Sequence, residues 1–136
     1  MKTSFKGQFL QLKYELGAIV GQHPAFYKIW CRLFRPDTLS RFVTQKTDIV
    51  IEGFPRSGNT FAVAAFSVAQ KNTYQIARHT HKVMQIIKAV DMKIPTLVLI
   101  RTPTDAVLSL NIRQPYITLE QGLRNYIRYY NGIKPF

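Results

Sequence analysis
The stretch Asp48-Ile49-Val50-Ile51-Glu52-Gly53-Phe54-Pro55-Arg56-Ser57-Gly58-Asn59-Thr60-Phe61 joins an apolar run to a glycine-bounded turn and then to a second apolar run. The first run reads as a short β-strand and the second as the start of a helix, the order from which chains build phosphate cradles. Gly53 and Gly58 admit backbone conformations closed to other residues, so successive N–H groups can converge on an anion while the following helix points its positive end at it. The hydroxyls of Ser57 and Thr60 add donors.

The glycine spacing matches the start of the Walker A pattern, but the position after the second glycine, a lysine in that pattern, is Asn59. The cation sits inside the loop, at Arg56. A lysine after the second glycine reaches the β- and γ-phosphates of a triphosphate, whereas a cation within the loop lies nearer the terminal bond of a shorter nucleotide. Further along, residues 61–69 are apolar nearly all round, as in a helix buried against a sheet. Residues 74–77 read as a short second strand, Arg78-His79-Thr80-His81 as a loop, and Val83, Ile86, Ile87 and Val90 mark another helix. Thr96-Leu97-Val98-Leu99-Ile100 is the continuous run expected of a fully buried parallel strand. Strands alternating with helices predict an α/β fold, a parallel sheet with flanking helices and right-handed crossovers.

Ligands of open parallel sheets bind beyond the carboxyl ends of the strands, so the residue after the last strand is informative. A Walker NTPase places a magnesium-holding aspartate there; this chain has Arg101. Arg101 is therefore expected to face the same crevice as Arg56 and to meet a phosphate. Thr104 or Asp105 is expected to cap a helix through Val107 and Leu110, with Ser109 eight positions after Arg101.

Phe54-Pro55-Arg56-Ser57-Gly58-Asn59-Thr60-Phe61 resembles the 5′-phosphosulfate loop of sulfotransferases, commonly Tyr-Pro-Lys-Ser-Gly-Thr-Thr-Trp, with Arg for Lys and Phe for Trp as the main departures. Arg101 and Ser109 are similar to that family's 3′-phosphate motif. The resemblance implies a P-loop NTPase-like sulfotransferase fold and a donor, 3′-phosphoadenosine 5′-phosphosulfate (PAPS), used without a metal. It implies that Arg56, Ser57, Gly58, Asn59, Thr60 and Phe61 hold the 5′ end, Phe61 stacking on adenine, and that Arg101 and Ser109 hold the 3′-phosphate. Arg56 would stabilise charge on the bridging oxygen. Transfer to a hydroxyl or amine needs a base, and histidine suits that near neutral pH. Cytosolic members carry it in Lys-Thr-His; Thr80-His81 occupies a like position, with His79 where the lysine would be. Residues 61–70 hold no carboxylate of the kind that Golgi-type members use. His81 is thus the first choice and His79 the second. The family's later glycine-rich closing segment has no counterpart before Phe136, so the chain is expected to be the N-terminal portion of such a domain, over residues 48–136, preceded by a helical segment over residues 1–47.

In that segment Phe9, Leu12, Leu16 and Ile19 form one side of a helix ended by Gly21. Pro24 opens a second, in which Phe26, Ile29, Trp30 and Leu33 recur on one side and Lys28, Arg32 and Arg35 form a basic stripe. Packing on the rest of the domain is favoured for this helix over a membrane surface. At the other end, Thr118 and Gln121 resemble a capping box, Leu119, Leu123, Tyr126, Ile127 and Tyr130 make an apolar side, Arg124 and Arg128 read as a solvated face, and Asn131-Gly132 is expected to stop the helix.

The 136 residues suffice for one domain with a core, and 46% hydrophobic against 19% charged residues excludes the disordered class. One cysteine, Cys31, excludes an intramolecular disulfide framework and fits a reducing, cytoplasmic compartment. No run is apolar for the ~18 residues that a spanning helix needs, and the basic start at residues 1–6 lacks a signal-peptide pattern. The net charge of +12 favours anionic partners, whether a nucleotide donor, an acidic acceptor, nucleic acid or an anionic membrane, and charge alone does not choose among them. The resemblance implies a nucleotide donor and a hydroxyl- or amine-bearing acceptor, with no nucleic acid. Two rivals remain open: a P-loop kinase or NTPase, and a non-catalytic basic module that binds nucleotide or membrane.

Overall fold
β-branched residues in Ile49-Val50-Ile51 fit a pleated, enclosed strand, and this run forms the middle of the sheet. The computed structural model describes residues 5–136; the basic start at residues 1–4 lies outside them. The fold is α/β, a small three-stranded parallel sheet flanked by helices. Strand β1 (Ile49–Gly53) lies between β2 (Ile76–Arg78) and β3 (Thr96–Leu99), and Ile51 is in register with both Arg78 and Leu97. Helix α3 (Asn59–Ala69) follows β1, α4 (Val83–Asp91) follows β2, and α5 (Pro103–Arg113) and α6 (Leu119–Ile133) follow β3. Ahead of the sheet come α1 (Phe5–Val20), α2 (Pro24–Phe34) and a 3-10 turn over Pro36–Arg41.

The main core joins Phe54, Val83, Ile86, Val107, Leu110 and Tyr129, drawn from the loop after β1 and from α4, α5 and α6. Phe54 meets Tyr126 and Tyr129 edge-on, at centroid distances of 5.2 and 6.3 Å, which anchors the loop in the core. The hydroxyls of Tyr126 and Tyr130 donate to the carbonyls of Arg101 and Leu99, both at 2.7 Å, so α6 also grips the carboxyl end of β3. Thr118 and Gln121 close both bonds of the capping box that starts α6. Buried Gln85 on α4 ties down the approach to β1 by accepting from the Val43 N–H and donating to the Arg41 carbonyl.

Several expectations are corrected. β3 is an edge strand: β1 pairs with one side only, Leu97 keeps 44% of its surface, and Ile100 lies past the strand end. Helix α3 buries only Asn59 and Val63, because among the described residues it rests on β1 and β2 and no other element covers its outer side. Asn131 and Gly132 do not stop α6, which runs on to Ile133; Gly132 lies within it, where a Cβ would stand 3.0 Å from the Val83 side chain of α4. Thr102, not Thr104 or Asp105, is the residue ahead of α5, since Pro103 takes the first helical position. Arg128 is no solvated residue: it pairs with Glu15 of α1 at 3.4 Å. Leu119, Leu123 and Ile127 are exposed, leaving Tyr126 and Tyr130 to face the core. The apolar sides of α1 and α2 also face solvent, while Gly17, Tyr27 and Cys31 are buried.

Candidate functional site
The turn from β1 into α3 takes its shape from two left-handed residues, Gly58 at φ +87° and, without glycine's freedom, Arg56 at φ +71°. Two internal bonds hold it: the Ser57 N–H donates to the Phe54 carbonyl, and the Asn59 side-chain amide donates to that same oxygen. Gly58 precedes α3 without a side-chain cap, so the N–H groups of the first helical turn have no partner within the helix. The loop therefore presents its free donors from Gly58 to Phe61. Ser57 departs from expectation on both counts, because its N–H is used inside the turn and its hydroxyl is enclosed and unpartnered. Asn59 departs as well: its side chain is buried within the loop, leaving only its backbone to offer a ligand.

Two arginines lock the loop to the end of β3. Arg101 Nη1 donates to the Arg56 carbonyl at 3.0 Å, and Arg56 Nε donates to Ser109 Oγ at 3.0 Å across 53 residues of chain. The side chains borne by the loop, by the residue after β3 and by α5 thus meet at one place. They border a crevice of about 540 Å³ lined by Arg56, Gly58, Asn59, Thr60, Phe61 and Arg101, together with His79 and His81. Ser57 and Ser109 lie behind this lining. Phe61 keeps 79% of its surface, an open aromatic face at the rim.

Sequence reasoning missed the rest of the wall. Arg35, Lys82 and Arg113 line the same crevice, so five cations converge there. Arg113 was within reach of the sequence, since it lies one helical turn after Ser109 and shares its side of α5. Lys82 was not, because only the packing of α1, α2 and α4 encloses it. Its ammonium is pushed down to about 8, first by burial and then by Arg35.

Glu52 was also missed, although a carboxylate inside an apolar strand is costly enough to be a signal. It is fully buried and accepts from the Thr80 N–H at 2.6 Å, the Thr80 hydroxyl at 2.9 Å and the His81 N–H at 3.1 Å. Burial pushes its carboxyl up to about 7 against the pull of those bonds. Their purpose is visible in the loop they hold: His79 and His81 both adopt left-handed conformations, at φ +57° and +53°. Such residues persist only where their surroundings over-determine them.

His81 Nδ1 lies 2.9 Å from the Gly53 carbonyl. A carbonyl only accepts, which assigns the proton to Nδ1 and leaves Nε2 a lone pair. Burial, then His79, Lys82 and Arg35, push the imidazole down to about 4, while the bond to Gly53 works the other way. His79 is lowered too, first by burial and then by Arg78 and Arg41; its Nε2 lies 3.3 Å from Thr60 Oγ1. Both rings stay neutral at pH 7, and an anion in the crevice would raise both values. Among the described residues no group of three His, Cys, Asp or Glu side chains gathers at one place.

What this arrangement defines is a cationic crevice at the carboxyl end of a parallel sheet, walled by helix-start N–H groups and two neutral imidazoles. Compared with protein-family models, with curated proteins and with solved structures, the chain matches none.

Proposed function
We propose that the crevice binds a 3′-phosphorylated adenine nucleotide, PAPS, and serves sulfuryl transfer to a hydroxyl or amine. The observation that carries this reading is the interlocking of Arg56, Arg101 and Ser109, which gathers at one side of the crevice the loop that would hold the 5′ end and the arginine that would meet the 3′-phosphate, with Ser109 behind them. The N–H groups of Gly58 to Phe61 would hold the 5′-phosphosulfate and Phe61 the adenine. In the reaction the bond from sulfur to the bridging oxygen breaks and a bond from sulfur to the acceptor oxygen or nitrogen forms. The acceptor's proton passes to His81 Nε2, and adenosine 3′,5′-bisphosphate leaves. Arg56 would stabilise the charge that collects on the bridging oxygen.

Calorimetry with adenosine 3′,5′-bisphosphate and with AMP tests the donor. A charge-assisted bond contributes roughly 1.5–3 kcal/mol, so the bisphosphate should bind about 10- to 100-fold more tightly. Arg101→Ala should erase that margin; equal affinities in the wild type would remove the 3′-phosphate reading. Magnesium-dependent ATP hydrolysis would instead favour the kinase or NTPase alternative.

A further inference from the structure
The first two helices carry an apolar surface that no other element covers among the described residues. Successive helical residues turn by about 100°, which places Phe5, Phe9, Leu12, Leu16 and Ile19 within an arc of about 80° opposite Tyr14, the side chain that packs inward. Phe5, Phe9 and Leu12 keep 88, 60 and 57% of their surface. On α2, Phe26, Ile29 and Leu33 share a second arc, turned away from buried Tyr27 and left 63, 55 and 70% exposed. Trp30 closes the seam between the two helices by lying over Gly17, about 3.8 Å from where a Cβ would stand. The two stripes therefore lie on neighbouring helices, each exposed to solvent.

Their charges are of one sign. Lys6 and Lys13 on α1 and Arg32 on α2 flank the stripes, with Lys28 further round α2, and none of them is in an ion pair among the described residues. The one carboxylate on these helices, Glu15, is taken by Arg128 of α6. A second copy of this chain would set these cations against their own kind, whereas an anionic bilayer satisfies the apolar and the charged parts at once. No described helix is long and apolar enough to cross a membrane, so the fitting geometry is a helix pair lying in the interface plane.

We infer that the α1–α2 face is a docking surface for anionic lipid bilayers. The inference is independent of what the crevice binds. The full chain should sediment with vesicles of phosphatidylcholine mixed with phosphatidylglycerol and not with phosphatidylcholine alone. Phe9→Ser/Ile29→Ser should lower partitioning by at least about tenfold, and Lys28→Gln/Arg32→Gln by about tenfold, since these side chains supply the apolar area and the attraction to lipid. All four positions are solvent-exposed, so circular dichroism and melting should be unchanged. Trp30, the single tryptophan, gives a readout that needs no variant: brominated acyl chains in the anionic vesicles should quench it. Binding that survives Phe9→Ser/Ile29→Ser would assign the attraction to general positive charge and overturn the proposal. So would absence of vesicle binding, or a dimer seen by light scattering that the same double variant dissolves.

Discussion
His81 owes its position and protonation to two backbone-directed contacts, and each makes a prediction. Its Nδ1 is tied to Gly53, so a base at this residue must act through Nε2. On the proposed chemistry, His81→Ala should abolish transfer of labelled sulfate from PAPS to a panel of hydroxyl and amine acceptors while leaving donor affinity within about twofold, since a general base serves the acceptor proton. Arg56→Ala should lower rate and affinity together, because it removes a cation from the reacting end. Glu52 makes a separate, stability-based prediction. Its carboxyl, raised to about 7 from 4.5, contributes stability that is fully present below pH 4.5 and lost as pH rises through 7. His81, lowered to about 4 from 6.5, contributes stability that is present above 6.5 and lost as pH falls through 4. The two slopes oppose one another between pH 4.5 and 6.5. Glu52→Gln removes one of them, so urea unfolding of the variant should gain on the wild type by on the order of 2 kcal/mol as pH rises across that window. A constant difference between the two proteins would show that Glu52 does not take up a proton there.

At the scale of elements, the two glycines that bound the loop do different work. A Cβ on Gly53 would stand 2.6 Å from the Leu99 carbonyl, so this glycine sets the approach of β1 to β3. A Cβ on Gly58 would meet nothing within 4 Å, and what the site demands there is the backbone angle of +87°. Gly53→Ala should therefore cost about 1–3 kcal/mol by forcing the strands apart, and Gly58→Ala about 1 kcal/mol by backbone strain alone. Chemical denaturation of both variants distinguishes the two. Only Gly53→Ala should also disturb Arg101, which hangs from the end of the displaced strand. The elements themselves were largely legible. Spacing of apolar residues located α1, α2 and α4, and Thr118 with Gln121 located the start of α6. Burial was less so: the run at residues 96–100 has the composition of a central strand, yet composition does not say how many neighbours a strand finds.

For the whole molecule, the net charge of +12 sets opposite trends for folding and for binding. Self-repulsion opposes the compact state, and salt near ~0.5 M screens it, so the midpoint of thermal unfolding should rise with added salt. Affinity of the crevice for a polyanion should fall over the same range, since its four arginines are in contact with solvent and open to screening. Thermal melts and nucleotide titrations in parallel salt series check both trends. A shared direction would mean that charge is not what limits stability.

Sequence by itself determined the local chemistry: a strand, a turn with Arg56 inside it, a helix start after Gly58, and an arginine and a serine eight residues apart beyond a later strand. These are properties of neighbouring residues, set by backbone freedom and side-chain type. Only the tertiary structure decided that Arg56 reaches Ser109, that Lys82 and Arg35 join the crevice, that Glu52 holds the histidine loop, and that no other described element covers the apolar sides of α1 and α2. Each of those depends on which surfaces meet across tens of residues. Periodicity reports that a helix has an apolar side, and the packing of the remaining elements determines whether anything lies against it.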